Sequence, residues 1–318
     1  MSRRYAACNV LMTTCSNCGK EENILFVTDD TSCEIANAMW EAAVEFRNKS
    51  IVKMTDRTMH GAEPTRIVAV AMANADVIFG ITKLSMFHTG ARRLAVTNGA
   101  RFVNMADYDI GMLESGGLYA DFITQGKAVN RVAERIVGEV IKITTPKGTD
   151  ITSRISGRPA VPQYARSLEK GKSSSPPDIE CAIGPVEDSS SGVVFIDGSI
   201  PHPELGIITD EIKLIIKQGR IVEFYGGKQA QILARILKEF NDPKAYYLGE
   251  IGIGLNPMCS LNGRMLEDEG CMGTVHFGFG SNTSFFGTIE SNFHLDMVFV
   301  SPTVSVDGVI ILESGKLL

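Results

Sequence analysis

The chain has 318 residues, of which 44% are hydrophobic and 21% charged, and a formal net charge of -6. That length accommodates two domains, and the balance is ordinary for a globular protein. The acidic charge, without a basic patch, excludes a nucleic-acid binder, and no apolar run reaches the roughly 20 residues of a membrane span.

The longest apolar run, Ile67 to Ile81, is broken by Asn74 and Asp76. Arg3 and Arg4 are followed by polar residues, so no secretory signal is expected. Seven cysteines, an odd number, fit free thiols in a reducing, cytoplasmic setting. Cys15 and Cys18 form a single CxxC at the end of a helical pattern beside Gly19. Reduced thiols at a helix C-terminus are expected there, rather than zinc or a redox pair.

In chain order, residues 3 to 17 read as an amphipathic helix. Ile24 to Asp29 reads as a buried strand, Cys33 to Phe46 as a helix and Ser50 to Met54 as a strand. Pro64 to Ala73 is helical, with proline tolerated in the first turn. Asp76 to Ile81 and Arg101 to Met105 are further strands. This alternation predicts a parallel sheet with helices on both faces. No GxGxxG follows the first strand, so a dinucleotide site is not expected. His88 follows a strand and precedes a helical pattern, where open α/β sheets collect ligands. It serves there either as a functional group or as a plain helix cap.

Asp121 to Ile143 reads as one long helix, with Val129, Val132, Ile136 and Val140 at helical spacing. Gly148 to Ile155 reads as a strand, and the Pro-, Ser- and Lys-rich Arg158 to Asp178 as a loop. Gly171-Lys172-Ser173 is not a phosphate loop, because position 166 is Arg166 and not glycine. Gly192 to Ile200, Glu211 to Gly227 and Pro302 to Leu318 read as strands joined by glycine turns, interrupted by a helix over Lys228 to Phe240. The two Asp-Gly pairs in IDG and VDG suggest similar hairpins. The predicted fold is thus an α/β domain with a parallel sheet over residues 1–150. A mainly antiparallel β domain with a helix follows over 151–318 and carries a metal site.

That site is expected between Glu250 and Asp296. His294 and Asp296 are two apart, so on a strand they share a face. His276 lies in a second glycine-flanked strand, Glu269 in a turn before it, and Glu250 on a third strand. Two imidazoles and three carboxylates suit Zn, Co, Mn or Fe. A two-metal centre uses all five residues. A single Fe(II) triad uses only His276, His294 and Asp296.

GEIGIGLNP, DEG followed by GTVHFGFGSN, and HLDMVF resemble the C-terminal half of metallo-aminopeptidases of the aminopeptidase T and S type. The resemblance implies a two-metal centre with ligands on Glu250, Glu269, His276, His294 and Asp296. Those peptidases carry a tyrosine shortly after the histidine matching His276; here Ser281, Asn282 and Thr283 stand there. The chain also resembles the 2,5-dihydroxypyridine 5,6-dioxygenases, Fe(II) ring-cleaving enzymes, through FNDPKAYYLGEIGIGLNP and FHLD. That resemblance matches His88, with Arg101 after it, to an acid/base histidine. It places the first iron-binding histidine of those enzymes on Glu250.

The leading expectation is a metallohydrolase acting on an amide or short peptide. Two Zn, Co or Mn ions would activate water, Glu250 or Glu269 would move the proton, and His88 would steady the oxyanion. The alternative is a one-Fe(II) dioxygenase for a hydroxylated nitrogen ring, with His88 as base. A non-enzymatic small-molecule binder is the third. A homo-oligomer, dimer or larger, is implied by the resemblance.

Overall fold

The computed structural model of the chain describes residues 2–318. Its elements, in chain order, are α1 (Arg3–Val10), a π-helical turn (Leu11–Cys15), β1 (Ile24–Thr28), α2 (Cys33–Ala42), β2 (Lys49–Lys53), α3 (Arg66–Met72), β3 (Val77–Ile81), α4 (Gly90–Thr97), β4 (Arg101–Asn104), α5 (Phe122–Arg135), β5 (Val140–Thr144), β6 (Asp150–Arg154), β7 (Val161–Gln163), β8 (Ser173–Ser174) and β9 (Glu180–Ile183). There follow β10 (Ser191–Ile196), β11 (Ser199–Ile200), β12 (Gly206–Ile207), β13 (Ile212–Lys217), β14 (Arg220–Gly226), α6 (Lys228–Phe240), β15 (Leu248–Gly254), α7 (Met265–Asp268), β16 (Thr274–Gly280), β17 (His294–Val300), β18 (Thr303–Val306), β19 (Val309–Glu313) and β20 (Lys316–Leu317).

One compact unit runs through Phe122 and takes back Tyr164–Pro177; the other holds Ile123–Gln163 and Asp178–Leu318. The sequence reading placed a single boundary at 150. In the structure the chain leaves the first unit, returns through the Pro- and Ser-rich stretch, and leaves again.

The first unit is built on a parallel sheet in the order β2-β1-β3-β4-β8. Every residue of β1, β3 and β4 is buried, as continuous apolar runs in parallel sheets are. Leu25, Val27, Ile78 and Phe102 pack with Met72 and Met86 in its core. Ser173–Ser174, expected as loop, supplies the fifth strand. Cys15 and Cys18 are free thiols, raised by burial to about 12 and about 11.

The second unit has two sheets, β14-β13-β10-β6-β5-β18-β19-β20 and β12-β11-β17-β16-β15-β9-β7, all antiparallel. α6 buries Ala230, Leu233 and Leu237 at helical spacing and stops at Asn241 in the left-handed conformation. The fold class is the one expected.

The predicted long helix is corrected: α5 ends at Arg135. A Cβ at Gly138 would overlap the side chains of Val306 and Asp307. The Asp307 carboxylate accepts the Glu139 and Val140 N–H groups, both at 2.9 Å. The β-branched run from Val140 then alternates in burial as β5. Of the two Asp-Gly pairs, only Asp307-Gly308 makes a hairpin, with φ 48° and 84° between β18 and β19. Both angles are positive, as a type I′ turn requires. Asp197-Gly198 instead carries the chain from one sheet to the other, Gly198 N–H donating to Val298 O at 3.0 Å.

The loop between β16 and β17 is pinned by Glu187, whose Oε1 accepts from Thr288 N–H at 2.8 Å, Thr288 Oγ1 and Asn282 Nδ2. Its Oε2 accepts from Arg158. Burial pushes this carboxyl up, but these donors outweigh burial and hold it at about 2. Its stabilisation is therefore present above the usual glutamate range and is lost as pH falls toward 2. Glu187→Gln is expected to cost about 2 kcal/mol at pH 7 in urea melts. The gap to wild type is expected to narrow below pH 4.5; a gap unchanged with pH would contradict this role.

Candidate metal centre

β17, β16, β15 and β9 lie side by side, and their registers assemble one buried polar face. Glu250 stands opposite Gly278, which stands opposite Asp296. Gly252 stands opposite His276 and Gly254 opposite Glu180. Alternation puts Phe277, Phe279, Val275 and Phe299 on the other, apolar face, where Phe277 and Phe299 meet at 4.9 Å. A register shift at Gly249, a bulge in β15, lies next to Glu250, the kind of irregularity that re-aims a side chain.

Glycines make the room. A Cβ at Gly252 would overlap the His276 ring. One at Gly278 would lie 2.7 Å from His294 Nε2 and 2.9 Å from Asp296 Oδ1. The imidazoles therefore lie over bare backbone in the middle of the sheet.

Two three-donor groups result, Glu180–Glu250–His276 and Glu250–His294–Asp296, each with ligand atoms within 4.8 Å of one another. His294 Nε2 is 3.0 Å from Glu250 Oε2 and 3.4 Å from Asp296 Oδ1. His276 Nε2 is 3.0 Å from Glu180 Oε2 and 3.6 Å from Glu250 Oε1. His294 Nδ1 lies 3.0 Å from the Ser281 carbonyl. A carbonyl only accepts, so Nδ1 carries hydrogen and Nε2 turns its lone pair toward two carboxylates. A cation, either a second proton or a metal, must stand between them. A fixed Nδ1–H bond of this kind is how metal-ligating histidines are held.

Five carboxylates crowd this face: Asp178, Glu180, Glu250, Glu269 and Asp296, none more than 9% exposed. Burial and neighbouring carboxylates push Asp178 and Glu269 well above the usual range, and burial raises Glu180. Burial opposes protonation of His276 and His294, yet the surrounding carboxylates override it and raise both. Those two imidazoles hold Asp296 low despite its burial. Among the described residues, Asp178 Oδ1, Glu180 Oε2, Glu269 Oε1, His276 Nδ1 and Asp296 Oδ1 lack hydrogen-bond partners. Buried oxygens without partners and a surplus of negative charge are what a divalent metal satisfies. The residues fit one.

Of the residues expected from sequence, Glu250, His276, His294 and Asp296 meet here. Glu269, in the turn after α7, is buried against Asp296 but belongs to neither three-donor group. His88 belongs to the first unit, exposed, just before the α4 cap Thr89. Arg101 starts β4, where it is buried and ion-paired with Glu22. His88 follows the C-terminal end of β3, the opposite end of the parallel strands. Sequence reasoning missed Asp178 and Glu180. Their two-residue spacing before an apolar run repeats that of His294 and Asp296, a signal masked by the Pro-rich stretch before them.

A family model described as NicX: 2,5-dihydroxypyridine 5,6-dioxygenase matches residues 10–318. The chain belongs to that dioxygenase family. A 2,5-dihydroxypyridine 5,6-dioxygenase of Pseudomonas putida KT2440 is 28% identical over 188 residues, 56% of this chain and 54% of that protein. The solved 2,5-dihydroxypyridine dioxygenase of Pseudomonas putida KT2440 superposes with a TM-score of 0.81 at 19% identity, covering 100% of this chain and 98% of that one. AmpT of Thermus thermophilus superposes at 0.67 and 13% identity over 99% of each. Both structures share the fold. Membership in the dioxygenase family overturns the expectation of a metallohydrolase of aminopeptidase type. The physical reason lies in the loop after His276. That loop, residues 281–293, holds no tyrosine; the Ser281 carbonyl faces His294 Nδ1 and Asn282 Oδ1 accepts from Ile289 N–H at 2.7 Å. In this dioxygenase-family chain the site is held in one unit, and among the described residues no helix is long and apolar enough to cross a membrane.

Proposed function

We propose that this chain is an Fe(II)-dependent dioxygenase that opens a hydroxylated nitrogen heterocycle or a close aromatic relative. The observation that carries this is the Glu250–His294–Asp296 group within a chain of this family. His294 is its most accessible member, with 26% of its side chain exposed against 5% and 8% for Glu250 and Asp296. A small ring can approach on that side.

Bound Fe(II) would supply the one-electron chemistry with O2 that no side chain provides. Glu250, His294 and Asp296 would hold it, a carboxylate-richer set than two histidines and one carboxylate. Ser281 fixes the His294 ring through its carbonyl. Phe285, buried and stacked at 6.3 Å from His294, excludes water from one side of that ring. We assign His88 the task of taking the proton from a ring hydroxyl, on the family resemblance and its exposed place after β3. The same reading carries a small-molecule substrate, a homo-oligomer and a cytoplasmic location.

His88→Ala, loaded with Fe(II), is expected to lose about 10²–10⁴-fold in oxygen uptake with a dihydroxylated pyridine while its metal content stays that of wild type. Undiminished uptake would remove His88 from the reaction.

A further inference from the structure

We infer that Glu63 is the residue that positions His88, holding the first turn of α4 from 27 residues earlier in the chain. The inference rests on the assignment of His88 as the base and adds what aims it. α4 begins Gly90-Ala91-Arg92-Arg93. The leading N–H groups of a helix have no partner within it, and its N-terminus attracts negative charge. This turn brings two arginines and no carboxylate. The hydroxyl of Thr89, the N-cap, accepts from Arg92 N–H at 3.2 Å. Glu63 serves the two N–H groups before it: one oxygen accepts from Gly90 N–H and the other from Ala91 N–H at 3.1 Å. A carboxylate from the connection between β2 and α3 thus does what an acidic residue in the first turn of a helix does.

His88 stands two residues before this turn with its side chain exposed, so the backbone beneath it sets its direction. Arg93 Nη1 donates to the His88 carbonyl at 2.8 Å, and Arg92 Nε to the Phe87 carbonyl at 2.7 Å. Both arginines belong to the turn that Glu63 closes, so the carboxylate governs these contacts as well. The Phe87 ring, with the Arg92 guanidinium 4.7 Å from its centre, meets the His88 ring edge-on at 5.4 Å. The stretch before Glu63 runs beside the same segment. Gly61 N–H donates to Ser85 O at 2.8 Å, His60 Nδ1 accepts from Ser85 N–H at 3.2 Å, and a Cβ on Gly61 would lie 3.8 Å from that of His88. Pro64 follows Glu63 and confines it to extended backbone, so the carboxylate is aimed at the helix end in advance. All of these residues lie in the first unit.

The test compares Glu63→Ala, His88→Ala and the double variant, each as the full chain loaded with Fe(II), by oxygen uptake with a dihydroxylated pyridine. Glu63→Ala is expected to lose about 10–10²-fold in kcat, with KM, metal content and circular dichroism those of wild type. Glu63→Gln, which keeps one acceptor oxygen, is expected to regain part of that loss. In the His88→Ala background Glu63→Ala is expected to cost nothing more, because a positioning residue acts only through the group it positions. A readout free of metal and turnover is the proton–nitrogen NMR spectrum of the imidazoles in the metal-free protein, with His88 assigned from its absence in His88→Ala. Its resonances are expected to shift in Glu63→Ala while those of His202, in the second unit, stay. With His88→Ala impaired, wild-type kcat in Glu63→Ala, or an equal further loss in both backgrounds, would overturn the inference; an unmoved His88 resonance would overturn it in any case. Undiminished uptake by His88→Ala would sink the assignment of His88 as base instead, and the spectrum alone would then decide whether Glu63 positions that ring.

Discussion

Glu250→Ala is expected to abolish both metal binding and oxygen uptake. Glu250 is the donor common to both three-donor groups, and its loss leaves each with two. Removing even an outer partner of a ligand costs about 10–100-fold in metal affinity, so the loss here is expected to exceed about 100-fold. The clearest readout is thermal. A ligand at a hundred times its Kd adds about 2.7 kcal/mol, roughly 4 °C for a chain of this size. Wild type is expected to show a metal-dependent rise of that order and Glu250→Ala none. The apo variant has a compensating gain, because one of five crowded carboxylates is gone. A metal-dependent rise that survived in Glu250→Ala would show that the cation binds elsewhere.

Gly278→Val is expected to lose activity while remaining folded. Gly278 sits between Glu250 and Asp296 in the register, and a Cβ there would press on His294 Nε2 at 2.7 Å and Asp296 Oδ1 at 2.9 Å. Overpacking of this kind costs about 1–3 kcal/mol, which a chain of this size withstands. The displaced ligands are the larger effect, since a misplacement of about 1 Å at a reacting centre costs on the order of 10²-fold. Metal content and oxygen uptake are expected to fall together, with the circular dichroism unchanged. Full uptake by Gly278→Val would mean that the donors do not meet over that glycine.

The sequence disclosed the parallel sheet because β1, β3 and β4 are buried on both faces and read as unbroken apolar runs. It disclosed four of the five residues in the two three-donor groups because Glu250 and His276 stand beside glycines on strands and His294 and Asp296 stand two apart. The α5 boundary was not legible. Val140 continues the helical spacing of Val129 to Ile136, and only the contact of Gly138 with Val306 and Asp307, 168 residues or more away in sequence, ends the helix. The re-entry of residues 164–177 into the first unit was hidden for a similar reason, since a two-residue strand has no pattern of its own. Glu180 was hidden by its setting, a short strand directly after a Pro-Pro pair. The hydrolase expectation rested on a set of ligand residues, and ligands alone do not specify the reaction.

Ring opening by this protein is best tested with an oxygen electrode. Protein prepared without oxygen and loaded with Fe(II) is given a dihydroxylated pyridine, and O2 and the ring absorbance are followed together. The dioxygenase assignment predicts one O2 consumed for each ring lost, and neither change without iron. Iron-loaded protein that leaves both O2 and the ring untouched would contradict it.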